Sequence, residues 1–497
     1  PPPPPSPSPP PPLPPPPPSP SPPPPSPLPP LPLPPPYSPL PPEWQPWSYS
    51  WASFPSLYLA ANPVGDLTSA QLDKVAQFKL AIIEFRQSQF LGEETGTKQW
   101  ADGDEGAAAA QQCRNLKARH GANAPPCLTY RSGMWASTMY PAQNAHLRLS
   151  PSAYLPDTAA EARCEGWTDY PLDIVTEPPP DSGIDRCRYD FRTAEARRFY
   201  VEDVLASNVR DDPDVAGVFI DNGQSVACDE DGEESTLGFE ARRALQHAQM
   251  EAYATSFAQL AAAGKYAILS TTNRHAAVAH PLVPWEAGCP DAEDATIAAL
   301  SGAGVPFARN IEFWMWQLGD TCAAQIQNAM LEGAAGVPQV VHVPYFRSGE
   351  GCADGCYNAA GARVTFTEVQ FLTFGMAAFL IGAGNGSYFG FSDMEDPCDE
   401  EGLGGWAECA WRYYPQYDAV HTGAPLGVAV ASGGGYRFTR AFEQGQVMVD
   451  CATGEHYLLE PLPSPLPSPL PLPSPSPSPS PSPLPLPSPL PSPLPLP

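Results

Sequence analysis

Positive charge is scarce in this chain. Its 497 residues carry 26 Lys and Arg against 54 Asp and Glu, a formal net charge of −28. The excess falls entirely between residues 43 and 460, because neither end of the chain carries a charged side chain. A body this acidic repels phosphate backbones, which argues against nucleic acid as a partner. Long apolar runs are missing too. No stretch of 18 consecutive apolar residues occurs, so no membrane span is expected. There is no GxGxxG, GxSxG, HExxH or Walker sequence, which withdraws support from dinucleotide, serine-hydrolase, zincin and P-loop chemistry. The cysteines form no CxxC pair, and no histidine stands at zinc-finger spacing from them. The acidic run CDEDGEES at 228–235 lacks EF-hand spacing. Neither a metal nor another cofactor is expected.

What is present falls into distinct textures. Residues 1–42 and 461–497 are almost only Pro, Ser and Leu. Such tracts cannot bury a core, and proline withdraws backbone donors, so disordered polyproline tails are expected. The 12 cysteines include the close pairs Cys113/Cys127, Cys164/Cys187, Cys352/Cys356 and Cys398/Cys409. Disulfides in the loops of a secreted protein suit them better than metal sites, though spacing leaves the connectivity open.

Between the tails, apolar runs alternate with helical patterns. Strands are expected at 56–62, 80–85, 126–134, 215–221, 266–273, 306–314, 338–345 and 386–393. Helices are expected at about 104–120, 192–208, 237–263 and 320–333. Capping boxes at Thr68/Gln71 and Thr365/Glu368 open two more. Eight strands separated mostly by helices predict an α/β chain folded as a (β/α)₈ TIM barrel over residues 43–395. An open doubly wound sheet is the alternative, but its glycine-rich first turn is absent. Residues 396–460 read as a loop followed by a small antiparallel β module.

GVFIDNG, at 217–223, drives an apolar strand into a carboxylate. Asp and Asn also favour turns, so a strand stop is the plain alternative. In a parallel barrel, however, side chains at the C-terminal strand ends build the active site. Asp221 ends the fourth strand and Glu312 falls near the end of the sixth. Two carboxylates facing one pocket are what glycoside hydrolysis requires, one to attack or activate water and one to protonate the leaving oxygen. Tyr130, Asn222, Asn273 and Arg309 are candidates for gripping sugar hydroxyls. Glu84 is a third acid, with an ion pair to Arg86 or Arg131 as its alternative. His342 reads as an interior hydrogen-bonding histidine.

The stretch CRYDFRTAEARRFYVEDVLASN, followed by VAGVFIDNG, resembles a class of TIM-barrel glycoside hydrolases. These carry an acidic and aromatic lead-in to a helix and then a DGVFID-type strand. The closing WRYYPQYDAVHTGAPLGVAVASGGGYRFTRAFEQGQVMVD is similar to their final segment, and the resemblance spans roughly residues 52–455. The lead-in here lacks the usual proline, and Ala216 stands where Asp is common. Among α-galactosidase-like barrels the nucleophile sits on strand four and the acid on strand six. The resemblance therefore implies Asp221 as nucleophile and Glu312 as acid/base. The tails resemble hydroxyproline-rich glycoproteins of plant and green algal walls, which implies an extracellular matrix or cell-wall setting with poly- or oligosaccharide close by. The expectation is a secreted, wall-associated glycoside hydrolase. The alternatives are a non-catalytic carbohydrate-binding protein or a structural wall glycoprotein in which the tails act as spacers.

Overall fold

The computed structural model describes residues 49–60, 66–83, 89–91, 98–100, 105–133, 135–137, 141–155, 186–206, 209–221, 223, 239–270, 300, 304–311, 318–334, 336–345, 356–357, 362–393 and 412–460. The apolar runs form β1 (Leu57–Ala60), β2 (Leu80–Ile83), β3 (Cys127–Ser132), β4 (Gly217–Asp221), β5 (Tyr266–Ser270), β6 (Ala308–Ile311), β7 (Gln339–Tyr345) and β8 (Tyr388–Asp393). They pair in parallel, each with its successor in the chain. A parallel bridge from Ser56 to Phe389, with the Phe389 N–H donating to the Pro55 carbonyl at 2.9 Å, brings β8 back to β1 and closes the ring. This is the expected (β/α)₈ barrel.

Period-two alternation decides which side chains fill it. Leu80, Ile82, Leu128, Phe219, Ile268 and Val340 belong to one buried cluster inside the ring. Their sequence neighbours Ala81, Ile83, Val218, Ile220, Leu269 and Val341 belong to the cluster shared with the helices. Each fully buried Val, Leu, Ile or Phe contributes about 1.5–3 kcal/mol relative to exposure. Gly217 is required where β4 approaches β5, since a Cβ there would stand 1.9 Å from the Tyr266 carbonyl oxygen.

The helices in this layer are α1 (Ser69–Val75), α2 (Glu105–His120), α3 (Phe239–Ala262), α4 (Asp320–Ala334) and α5 (Glu368–Gly382). Thr68 and Gln71 close the capping box expected for α1. The box on α5 is shifted by two residues from expectation, to Thr367 and Gln370. The cause is a hydrophobic staple. With Thr367 as cap, Phe366 and Phe371 occupy the positions that clasp a helix start, and their rings lie 5.8 Å apart. With Thr365 as cap the second clasp would be Val369, which is 47% exposed. The helix expected over 192–208 also differs. It is α-helical over Ala194–Arg198 and then π-helical over Phe199–Leu205. The wider turn carries the adjacent Phe199 and Tyr200 both into the core.

Small two-stranded antiparallel sheets follow three of the strands: Gln89–Leu91 with Lys98–Trp100 after β2, Trp135–Ser137 with Arg186–Arg188 after β3, and Cys356–Tyr357 with Arg363–Val364 after β7. All lie downstream of C-terminal strand ends, on the side where barrel active sites are built. The C-terminal module is a four-stranded antiparallel sheet: β9 (Val430–Ser432), β10 (Arg437–Phe442), β11 (Gly445–Asp450) and β12 (His456–Glu460). A disulfide from Cys322 on α4 to Cys451 fastens it to the barrel. The Arg440 guanidinium donates to the carbonyls of Leu380 and Ala383 at the end of α5, at 3.0 and 2.6 Å. Of the close cysteine pairs in the sequence, Cys113 and Cys127 are bonded to each other. Cys164, Cys352, Cys398 and Cys409 lie outside the described residues. No described helix is long and apolar enough to cross a membrane.

Candidate functional site

At the C-terminal ends of the strands the inward-facing side chains change from apolar to polar. On β4 the alternation that turns Phe219 inward also turns Asp221 inward, and Asp221 is only partly buried. Its backbone is held on one side, where the Gly133 N–H donates to the Asp221 carbonyl at 2.6 Å. Just beyond it, the Gly223 N–H donates to the Ser270 carbonyl at 2.7 Å. Tyr130 on β3 faces the same way, its ring 5.7 Å from that of Phe219. From there its hydroxyl donates a hydrogen bond to Asp221 Oδ2. The carboxylate therefore sits on a rigid strand end with its orientation fixed by a phenol.

Two further pairs line the same end of the barrel. The Asn310 side-chain amide on β6 donates to Ser270 Oγ on β5 at 2.8 Å. His342 Nε2 on β7 and Ser392 Oγ on β8 share a hydrogen bond at 2.6 Å. Burial pushes the His342 imidazole down to about 3, so it is neutral across the ordinary pH range. It serves as a hydrogen-bonding group and not as a proton-carrying acid. Ser270, Asn310 and Ser392 were not singled out from the sequence. Counting every second residue from Ile268, Ala308 and Gly390 would have found them.

Arg309 requires a correction. Sequence reasoning put it among the groups that grip sugar, but it faces out of the barrel. Ala308 and Asn310 on either side of it take the inward positions, and Arg309 forms a buried ion pair with Glu332 on α4. Glu332 is held in turn by the Gln339 side-chain amide at 3.1 Å. Arg131, one residue beyond Tyr130, also faces outward. It donates to the carbonyl of Val204 in the π-helical turn at 2.8 Å, which braces the strand that carries Tyr130. Asp190 accepts from the Arg192 guanidinium at 2.7 Å at the start of the following helix. Glu84, Asn222, Asn273 and Glu312 lie outside the described residues. Among the described residues no group of three or more His, Cys, Asp or Glu is arranged to hold a metal ion.

No protein-family profile matches the chain, and no curated protein is similar to it in sequence. Several solved structures are similar to it in outline. One is the α-amylase of Geobacillus thermoleovorans complexed with acarbose, at 6% identity over 81% of this chain and 87% of that one, TM-score 0.42. Another is the sucrose 6F-phosphate phosphorylase of Thermoanaerobacter thermosaccharolyticum, at 10% identity over 81% and 94%, TM-score 0.40. A third is the D-psicose 3-epimerase of Clostridium cellulolyticum H10 with D-tagatose, at 11% identity over 68% and 85%, TM-score 0.30. These likenesses are too slight to bear on the chemistry of this chain.

Proposed function

We propose that this chain is a glycoside hydrolase that cleaves an O-glycosidic bond with two carboxylates, Asp221 as nucleophile and Glu312 as general acid/base. The observation that carries this reading is the Asp221–Tyr130 pair. An inward-facing, partly accessible carboxylate is held by a phenol at the C-terminal end of a barrel strand, where barrel enzymes place their chemistry. Glu312 stands two positions after the inward-facing Asn310 in the sequence, one period of a strand. In the reaction, Glu312 gives its proton to the leaving oxygen as Asp221 forms a bond to the anomeric carbon. Water, deprotonated by Glu312, then hydrolyses the glycosyl ester and releases Asp221. Tyr130, Asn222, Asn273, Glu84 and His342 are assigned to holding the sugar or its neighbours in place. The reading extends to a secreted, wall-associated enzyme acting on poly- or oligosaccharide. The disulfides Cys113–Cys127 and Cys322–Cys451 and the Pro/Ser-rich ends support that setting.

The test is steady-state kinetics of the wild-type, D221N and E312Q chains on aryl glycosides and matching polysaccharides. E312Q is expected to lose about 10²–10⁴-fold in kcat, the usual worth of a positioned acid/base. Added azide is expected to restore turnover to D221A. If D221N and E312Q keep wild-type kcat/KM on a responsive substrate, the assignment fails.

A further inference from the structure

A second concavity lies at the opposite end of the barrel. A cleft of about 580 Å³ is lined, around the N-terminal ends of the strands, by Lys79, Lys117, Lys265, Asp214, Tyr49 and Tyr388 among others. That volume is in the range of small-molecule sites. None of the polar groups of the candidate active site takes part in it.

Its charge runs against the rest of the molecule. Three lysines face one aspartate in a chain whose net charge is −28. The lysines are not equivalent. Lys265 is buried, and its ammonium donates to the carbonyls of Asp212 and Val215, so it fastens the turn that leads into β4. Lys79 and Lys117 are exposed, and neither forms an ion pair with a described residue. Acids on the neighbouring elements are already engaged: Asp73 by Arg119 at 2.6 Å, and Asp212 by Arg114 at 2.5 Å. Lys117 follows Cys113 by four residues on α2, so the two share a helix face. The Cys113–Cys127 disulfide holds that face against the start of β3.

The walls restrict what can bind. Pro55, Pro125, Pro126 and Pro213 line the cleft and offer no backbone donor. The ammonium groups of Lys79 and Lys117 and the hydroxyls of Ser50 and Ser53 are side-chain donors on the cleft wall.

We propose that this cleft is a binding site for a small polyhydroxylated anion, a sugar acid or a sugar phosphate. Lys79 and Lys117 take the anionic group, and Ser50 and Ser53 meet the hydroxyls. The site is separate from the Asp221 site and does not depend on the function proposed for it.

Isothermal titration calorimetry of the full chain with galacturonate, galactose 6-phosphate and neutral galactose tests this. One of the two anions is expected to bind well above galactose, and which one binds identifies the source of the charge. The K79Q/K117Q variant changes two exposed side chains and is expected to bind that anion about tenfold more weakly or worse. D221N is expected to bind it as the wild type does. The proposal is overturned if neither anion binds better than galactose, or if K79Q/K117Q binds the anion with unchanged affinity.

Discussion

Replacing Glu332 with Ala leaves a charge without its partner. The Arg309 and Glu332 side chains are 3% and 8% exposed, so water cannot replace the lost carboxylate. Breaking a buried pair from one side costs about 3–5 kcal/mol, whereas replacing both members with apolar residues of similar volume is often neutral. An unfolding entropy of about 2.1 cal/mol/K per residue, over the roughly 400 residues between the proline-rich ends, comes to about 0.8 kcal/mol/K. A loss of about 4 kcal/mol then lowers Tm by about 5 °C. E332A is expected to melt about 4–6 °C below the wild type, and R309M/E332L within about 2 °C of it. Calorimetric melts at neutral pH read both. The double variant is also expected to keep sugar binding and turnover, because Arg309 stands in the wall between β6 and α4 and not at the mouth. If E332A melts within about 1 °C of the wild type, or if the double variant falls as far as the single, the pair does not carry this stability. If the double variant melts normally but loses its sugar, Arg309 reaches the mouth and its placement is wrong.

Other outcomes follow from the same geometry. The folded pKa of His342, about 3, lies below the unfolded value of 6.5, so the unfolded chain takes up the proton first. The stability tied to neutral His342 is complete above about pH 6.5 and is lost as pH falls toward 3, at up to about 1.4 kcal/mol per pH unit. H342Q keeps a partner for Ser392 and is expected to flatten the Tm–pH slope between pH 6 and 4; identical slopes would refute the burial argument. Y130F removes a hydrogen bond to a carboxylate, worth about 1.5–3 kcal/mol at most. With Asp221 partly exposed, water recovers part of that, and kcat/KM is expected to fall about 5–30-fold at unchanged Tm. An unchanged kcat/KM would separate Tyr130 from the chemistry. The Cys322–Cys451 disulfide closes a span of 129 residues, and C322S/C451S is expected to lose up to about 5 kcal/mol. Denaturant melts of the two proteins would show no difference if the module were held by its other contacts alone.

The barrel was legible because its strands are short, apolar and set off by helices, so the count of eight follows from period alone. The inner and outer faces were legible in principle, and missing them cost the Arg309 assignment. Arg309 stands next to Asn310, and only the alternation tells that one of them faces the barrel interior and the other the helix. Asp221 could be read because an apolar strand runs straight into it. The α5 cap was ambiguous on motif grounds, since Thr365/Glu368 and Thr367/Gln370 both match. The contact between Phe366 and Phe371 separates them, and motif spacing does not contain it. The Cys322–Cys451 bond joins residues far apart in the chain, so close spacing had nothing to say about it. The π-helical turn depends on where Tyr200 meets Tyr253 and Phe191, partners that a local pattern does not reveal.

The C-terminal sheet takes hold of the barrel at one particular place. The Gly319 N–H donates to the Cys451 carbonyl at 2.8 Å, the Tyr436 hydroxyl donates to Asp320, and Cys322 is bonded to Cys451. These grips fall on Gly319, Asp320 and Cys322, within four positions at the head of α4. Upstream, β6 ends at the buried Ile311, and only residues 312–317 separate it from the buried Leu318. The described residues on the two sides of the proposed acid are therefore moored, one bank being the barrel and the other the sheet. A lineage that trimmed or exchanged the sheet would slacken that mooring without touching a single residue of the mouth. Any activity and the sheet are expected to be lost together, and a barrel expressed without residues 425–460 would be a poor stand-in for the whole chain.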